Sequence, residues 1–574
     1  METLWRSRSD ESFEAEKLGG SDCPPLIQKL LWSRGLRDPE TIERWFSPKL
    51  NELGDPFTIG GIQEAVKRLT RAYRAQEKIC IYADFDLDVT SGLALLNDGL
   101  RQLGYKNLVL AQPKRLSEGY GFHTHIVEQL QSQGVSLIVT VDVGITAFAA
   151  SERAKELGVD VIITDHHQPA DRLPSAFQVI NPNLKEDSSG LGYLCGAGVA
   201  FYLLRALKRA LYDEGLISKE TLDLRSVLDC FCIATLTDMV PLIGDNRALV
   251  KQGLLQLEKT ARPGLRALLE ALDLSGRTLS SQDVAIRFAP KLNALSRMEL
   301  GILPIDLYLV ETMAEAREMV KSVLKNNSTR IELQGAGENE AFDMLKSWTH
   351  ENFVFLSSAI FHKGVVGLIA TKISLQTNLP TFMAAVNSEG VLTGSGRLPA
   401  GSSDSLLSAL ESGREHLSRF GGHDAAAGFE LHAENQGPLI EALAQHYQQT
   451  KQGRRQKLIE YDLEMGLEDV TESLMKWIEA LGPFGQSFNN PIFCFRNVKL
   501  SNVVDLRGGH LKLKLTGLQS QKKMEALYFS PPPSMKEELS HVQGEIDLLG
   551  EIQWNYFAGR KGIQILVKEL KLSR

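Results

Sequence analysis

Leu137-Ile138-Val139-Thr140-Val141-Asp142-Val143-Gly144 and, further on, Val161-Ile162-Ile163-Thr164-Asp165-His166-His167 are the stretches that decide the fold. Each is a short uncharged run, rich in β-branched residues, that stops at an acid. That pattern belongs to a strand buried on both faces of a parallel sheet. Between them Ala147, Ala150, Ala154 and Leu157 fall on one helical face, and Gly158 stands where that helix should stop. Strand, helix and strand form a βαβ unit, so both acidic ends share one edge of the sheet. Ligands of open α/β sheets bind at that carboxyl edge.

Two more segments extend the pattern. Upstream, Ile79-Cys80-Ile81-Tyr82 runs into Asp84-Phe85-Asp86-Leu87-Asp88. Downstream, Leu228 to Leu236 reads as an apolar helix leading into Thr237-Asp238-Met239-Val240-Pro241. One strand-terminal Asp is an ordinary cap or turn residue. Several on one edge repel and raise each other's pKa. Lys and Arg are absent from the three strand-end clusters, so a divalent cation is the expected counter-charge. Carboxylates with one or two histidines suit manganese or magnesium better than structural zinc, with histidine tilting the choice toward manganese.

The chain has 574 residues, 43% apolar and 23% charged, which predicts several globular domains rather than disorder. A net charge of −8 means that any nucleic-acid surface must be a local basic lining. Six scattered cysteines with no CxxC pair predict buried thiols, not zinc or a disulfide framework. The start leads into acidic sequence, read as no signal peptide, and no apolar run approaches the roughly 20 residues that span a bilayer. A cytoplasmic location without membrane contact is the expectation.

The organisation read from the pattern is α/β, with half-exposed strands at the end. Residues 1–75 are expected to be an N-terminal helical lead-in with a loop from Asn51 to Phe57, and 76–300 a parallel-sheet catalytic domain. Residues 301–350 read as connecting helices with a solvated charged face, interrupted only by Gly335 and Gly337. Residues 351–450 read as a second α/β domain, Lys451-Gln452-Gly453-Arg454-Arg455 as a linker, and 456–574 as β-structure. His510-Leu511-Lys512-Leu513-Lys514-Leu515 alternates with period two, and Tyr528, Trp554, Tyr556 and Phe557 lie nearby. Such strands fit either a core or an OB-fold that binds single strands by stacking and phosphate contact.

The four acidic motifs, in order, resemble those of the DHH phosphoesterase superfamily, with Asp165-His166-His167 the eponymous one. Further stretches are similar to the RecJ family within it. They are Arg115-Leu116-Ser117-Glu118-Gly119-Tyr120-Gly121, Leu194 to Phe201, Pro290-Lys291-Leu292-Asn293-Ala294 with Arg297, Gly394-Ser395-Gly396-Arg397, Gly421 to Gly428, and Pro483-Phe484-Gly485 with His510 to Leu513. The resemblance names the second α/β domain as the DHH-associated domain and the terminal one as an OB-fold. Val89 stands where the family usually has Gly, Val143 where it has Asn, and Lys363 where Pro is common. Val89 would obstruct the strand-to-helix turn if a positive φ were required there.

The resemblance implies a single-stranded-DNA-specific 5′-to-3′ exonuclease of DNA repair and recombination, releasing mononucleotides with two divalent ions. It implies Asp86, Asp88, Asp142, His166 and Asp238 as metal ligands, with Asp142 bridging. Catalytic or supporting roles fall to Asp84, Asp165, which would orient a histidine, and His167, which would meet a phosphate oxygen. Substrate contacts are expected from Arg115 and Arg297 at a 5′-end pocket, and from Ser395, Arg397, Gly421, Gly422 and His423. A monomer is expected, with single-stranded DNA as partner and a single-strand-binding protein and a helicase as candidate protein partners. The rival readings are a DHH phosphodiesterase for short oligonucleotides or cyclic dinucleotides, and a catalytically silent DNA-binding scaffold.

Overall fold

The structure is a computed structural model that describes residues 3–8, 13, 23–115, 118–298, 301–399, 401–449, 458–518, 520–541, 544–557 and 560–572. The expected linker at 451–455 lies outside the described residues, as do Leu116, Ser117 and the side chains of Tyr556 and Phe557.

The lead-in differs from expectation. It opens with a strand, β1 (Leu4–Ser7), before helices α1 (Pro25–Ser33), α2 (Pro39–Phe46) and α3 (Ile62–Ala75). Leu50–Glu52 and Pro56–Thr58 form short 3₁₀ turns within the expected loop. α3 adds its apolar face to the catalytic core, whereas Ile27, Leu30, Leu31 and Ile42 of α1 and α2 are buried with the C-terminal barrel. Helical periodicity finds such a helix but does not say what it packs against.

The catalytic unit follows as β2 (Ile79–Ala83), α4 (Leu87–Leu103), β3 (Leu108–Ala111), α5 (Thr124–Ser132), β4 (Leu137–Val141), α6 (Phe148–Glu156), β5 (Asp160–Thr164) and β6 (Gln178–Ile180). The strands form an all-parallel sheet in the order β3-β2-β4-β5-β6. β2 and β4 are buried along their whole length, which is why they read as continuous apolar runs. Helices α7 (Gly196–Asp213), α8 (Leu228–Asp238), α9 (Gly244–Glu258), α10 (Pro263–Ala271) and α11 (Ala289–Met298) complete the unit.

After α12 (Pro304–Leu309), α13 (Met313–Leu345) runs as one uninterrupted helix of 33 residues, about 50 Å long. Gly335 and Gly337 do not break it. A side chain at Gly337 would meet Ile369 Cδ1 at 2.4 Å, so this glycine lets the next helix pack close. The second unit comprises β7 (Val354–Ser358), α14 (Val366–Thr377), β8 (Thr381–Val386), β9 (Val391–Arg397), α15 (Leu406–Glu411), β10 (Arg419–His423), β11 (Ala426–His432) and α16 (Gln436–Gln449). Its sheet order is β10-β11-β9-β8-β7.

The remainder is β12 (Leu458–Tyr461), β13 (Leu463–Glu464), α17 (Glu472–Leu481), β14 (Phe493–Leu506), β15 (His510–Thr516), β16 (Lys523–Tyr528), α18 (Pro533–His541), β17 (Glu545–Phe557) and β18 (Arg560–Leu572). Pairing of β14 with β17 closes β14-β15-β16-β18-β17 into a five-stranded barrel, and β1 pairs in parallel with β12. Arg247 of α9 fixes the barrel to the catalytic unit. It donates to the carbonyls of Leu481 (2.6 Å), Gly482 (3.0 Å), Pro483 (3.0 Å) and Trp45 (3.2 Å), and stacks on the Trp45 ring. Burial pushes this guanidinium down to about 9. All six cysteines are free and buried, including Cys80, Cys195, Cys230 and Cys232, whose apolar neighbours in sequence imply it. No helix among the described residues is long and apolar enough to cross a membrane.

Candidate active site

The carboxyl edge of the catalytic sheet gathers the four motifs. Beyond β2, the Asp84 carboxylate is fully buried and accepts from the backbone amides of Phe85 (2.6 Å) and Gly121 (2.7 Å). Burial raises it to about 7 despite these two bonds. Asp86 precedes α4, and Asp88 lies in that helix's first turn. Val89 is inside the helix, without a positive φ, so the feared obstruction does not arise. The left-handed residues are Asp142 (φ +60°) and Gly144 (φ +122°) beyond β4. Val143, between them, is buried in the core with Ile145 and Ile163. Lys363 is exposed in the turn before α14.

Asp142 is 2% exposed, and the backbone at Gly196 crowds it. A Cβ there would stand 2.3 Å from Asp142 Cβ and Cγ. His166 Nε2 lies 3.2 Å from Asp142 Oδ1 and 3.5 Å from Asp238 Oδ2. These three atoms are buried, point at one another, and have no hydrogen-bond partner. Burial drives Asp88 and Asp142 well above the ordinary carboxylate range; Asp86 and Asp238 push Asp88 the same way, and Asp238 and Asp88 do so for Asp142. Burial also raises Asp238 and lowers His166. A cluster of this kind, short of counter-charge and with orphaned donor atoms, fits a hard divalent cation.

Asp165 orients the histidines. Its Oδ1 accepts from the His166 amide (2.8 Å), the His167 amide (3.1 Å) and His167 Nδ1 (2.7 Å), while Oδ2 accepts from the Ile145 amide (3.0 Å). Burial opposes protonation of His167, but the Asp165 bond and charge win and raise its pKa. Asp142, His166 and His167 each offer a ligand atom within 4.8 Å of one another. With Nδ1 committed to Asp165, His167 keeps Nε2 free. Asn181 and Asn183 brace this turn by donating to the carbonyls of His167 (2.8 Å) and His166 (2.6 Å). Neither asparagine carried a signal beyond an ordinary turn.

The strand-end clusters contain no Lys or Arg of their own, but the fold brings one in. Arg115, from a separate loop, reaches Asp86 at 2.6 Å and stacks on Phe85 at 4.7 Å. The acids are locally free of Lys and Arg only along the chain.

The chain can now be placed among known proteins. The DHH family, N-terminal domain, matches residues 78–235, and the RecJ OB domain matches residues 461–569. The single-stranded-DNA-specific exonuclease RecJ of Salmonella typhimurium is 31% identical, over 99% of this chain and 98% of its own length. The chain belongs to the RecJ family. The crystal structure of Thermus thermophilus RecJ in complex with Mn²⁺ is similar at a TM-score of 0.80 and 27% identity, covering 99% of this chain and 80% of that one. The corresponding Mg²⁺ complex gives 0.74 and 25%, over 99% and 78%.

Within this RecJ architecture the second unit faces the acidic edge. His423, at the end of β10, stacks on His167 with ring centres 5.8 Å apart and planes at 6°. Gly421 and Gly422 stand on the same exposed strand, and Gly422 (φ +133°) admits no side chain, since a Cβ would meet Ala426 O at 2.5 Å. Arg397 donates to Ser395 Oγ (2.6 Å) and to the Gly396 carbonyl (2.7 Å). Burial, together with Arg115, Arg330 and Arg397 and against the pull of Asp86, lowers Arg297 to about 10. Arg115, Arg330 and Arg397 thus lie within electrostatic reach of Arg297, and Arg115 also pairs with Asp86. Arg330, on α13, was assigned to a solvated face by its helical charge pattern. It is half-buried, and its Nε has no partner.

Proposed function

We propose that this chain is a divalent-metal-dependent exonuclease specific for single-stranded DNA, cutting from the 5′ end and releasing mononucleotides. The carrying observation is the trio of orphaned buried atoms in which His166 Nε2 stands 3.2 Å from Asp142 Oδ1 and 3.5 Å from Asp238 Oδ2. Family membership supports the substrate class. The Mn²⁺ and Mg²⁺ complexes of the Thermus protein support the metals.

Asp86, Asp88, Asp142, His166 and Asp238 would hold two ions, with Asp142 between them. When bound, such ions neutralise the phosphate and lower the pKa of a water to the point where it attacks at neutral pH. The chain's own groups do the rest. Asp165 fixes the His167 tautomer, so Nε2 is free to donate to a non-bridging phosphate oxygen. Asp84 ties the Gly121 loop to the end of β2 and so sets where Arg115 emerges. Arg115, Arg297, Arg330 and Arg397 form a cationic pocket for the 5′-terminal phosphate. Ser395 positions Arg397, while the exposed Gly421–Gly422 backbone and His423 close on the scissile group from the second unit. Strand tracking falls to the closed barrel. A cytoplasmic monomer in DNA repair and recombination, met by a single-strand-binding protein and a helicase, completes the reading.

The test is digestion of 5′-labelled and 3′-labelled single strands, with a blunt duplex control, in manganese and in EDTA. Immediate release of the 5′ label as mononucleotide, only with manganese and only from single strands, is expected. Release of the 3′ label first would overturn the polarity, and tight binding without cleavage would leave a DNA-binding scaffold.

A further inference from the structure

A cavity of about 640 Å³ lies between the catalytic unit and the barrel, and none of the residues assigned above lines it. Its walls come from the end of α8, the π-helical turn Asp283–Phe288 and the loop before β14. Five carboxamides line it: Gln282, Asn293, Gln486, Asn489 and Asn490. None of these side chains has a hydrogen-bond partner among the described residues. The lining's cation, Lys568, is already paired with Glu551 at 2.8 Å. Two apolar side chains stand unusually bare beside the amides. Met239 is 71% exposed in a left-handed conformation (φ +61°), and Ile286 is 65% exposed on the π-turn.

This chemistry discriminates between ligands. A phosphate would call for unpaired cations, and a metal for several carboxylates or imidazoles; the cavity offers no unpaired cation, and its one carboxylate, Glu551, is held by Lys568. A carboxamide presents a donor and an acceptor side by side, which matches the edge of any nucleobase. Exposed apolar groups supply the face that a base covers. π-helical turns recur at functional sites because they re-aim side chains outward. Position completes the argument, since Met239 directly follows Asp238 at the catalytic edge.

We propose that this cavity is a base-binding subsite for the strand under digestion, with the carboxamides meeting base edges and Ile286 and Met239 meeting base faces. The inference rests on the exonuclease reading and adds to it a contact that ignores the phosphate backbone. Because the amides carry both donor and acceptor, the subsite tolerates all four bases.

An abasic scan tests it. Binding of the full chain in EDTA is followed by anisotropy, using a 3′-fluorescein single strand in which one abasic residue is moved stepwise. For the wild type, one or two adjacent positions should weaken binding roughly fivefold or more. Gln486→Ala/Asn490→Ala should lose that penalty at those positions and keep the rest of the profile. Gln282→Ala, from the π-turn wall, should do the same at an unchanged melting temperature, which separates lost contact from lost fold. A variant profile identical to that of the wild type overturns the subsite. A flat wild-type profile with strand binding intact also overturns it and spares the exonuclease reading. A wild type that binds no single strand overturns both.

Discussion

Asp229, in the first turn of α8, and Asp238, its last residue, are both carboxylates withdrawn from solvent on one helix. Asp229 is fully served by its own chain. It accepts from the Cys230 amide (2.8 Å), Thr260 Oγ1 (2.7 Å) and Arg262 Nε (3.2 Å), and Arg262 also binds Asp98. Asp238 Oδ2 has no donor and looks instead at His166 and the Asp142 carboxylate beyond it. Removing a carboxylate from water costs several kcal/mol unless something repays it. At Asp229 the repayment is internal, so the charge is structural. At Asp238 it is withheld, so the charge is available to a cation from outside.

The largest test of this contrast is Asp142→Asn. Hydrolysis should fall at least about a thousandfold, roughly 4 kcal/mol of barrier. Without metal its melting temperature should match or exceed that of the wild type, because a repulsive charge has gone. Retained turnover in a metal-loaded sample would break the comparison. Asp229→Asn should behave in the opposite way, losing about 3 kcal/mol in urea denaturation as Arg262 is stranded. Its activity per folded molecule should hold; loss of activity at full stability would place Asp229 in the site after all.

Manganese sharpens the same contrast. At a hundred times its Kd, a native-state ligand adds about 2.7 kcal/mol. Thermal melts should therefore rise by a few degrees for the wild type and for Asp229→Asn, but not for Asp142→Asn. The smallest effect expected is at Arg115→Ala. KM for 5′-phosphorylated strands should rise about tenfold, with 5′-hydroxyl strands changed little. Equal changes on both strands would make Arg115 a partner of Asp86 and nothing more.

Much of the site was legible. The apolar runs ending at Asp84, Asp142 and Asp165 are local signals, and the βαβ rule alone puts Asp142 and Asp165 on one edge. The Asp165–His167 bond follows from residues two apart in a tight turn. The half-burial of Arg330 was not legible, because an arginine on a charged helix reads the same whether it faces water or the rest of the fold. β1 was missed for a similar reason: it completes its pairing with β12, at the far end of the chain, and four residues carry little periodicity of their own. Arg115 was legible as a candidate for substrate contact but not as the partner of Asp86, since the acids' own neighbours contain no cation.

The amino-acid sequence by itself determined where the three acid-ended strands run, that their acidic ends share an edge, and that carboxylate and imidazole would be the chemistry there. These depend on periods of two and 3.6 residues and on the handedness of a crossover, all short-range properties of an L-chain. Only the tertiary structure decided which acids are satisfied and which are left waiting, since Asp229 and Asp238 end the same helix. It also decided that Arg115, Arg297, Arg330 and Arg397 converge, and that five amides face one cavity. Whether a buried polar atom is paired is settled by partners distant in the chain, and no local pattern encodes their arrival.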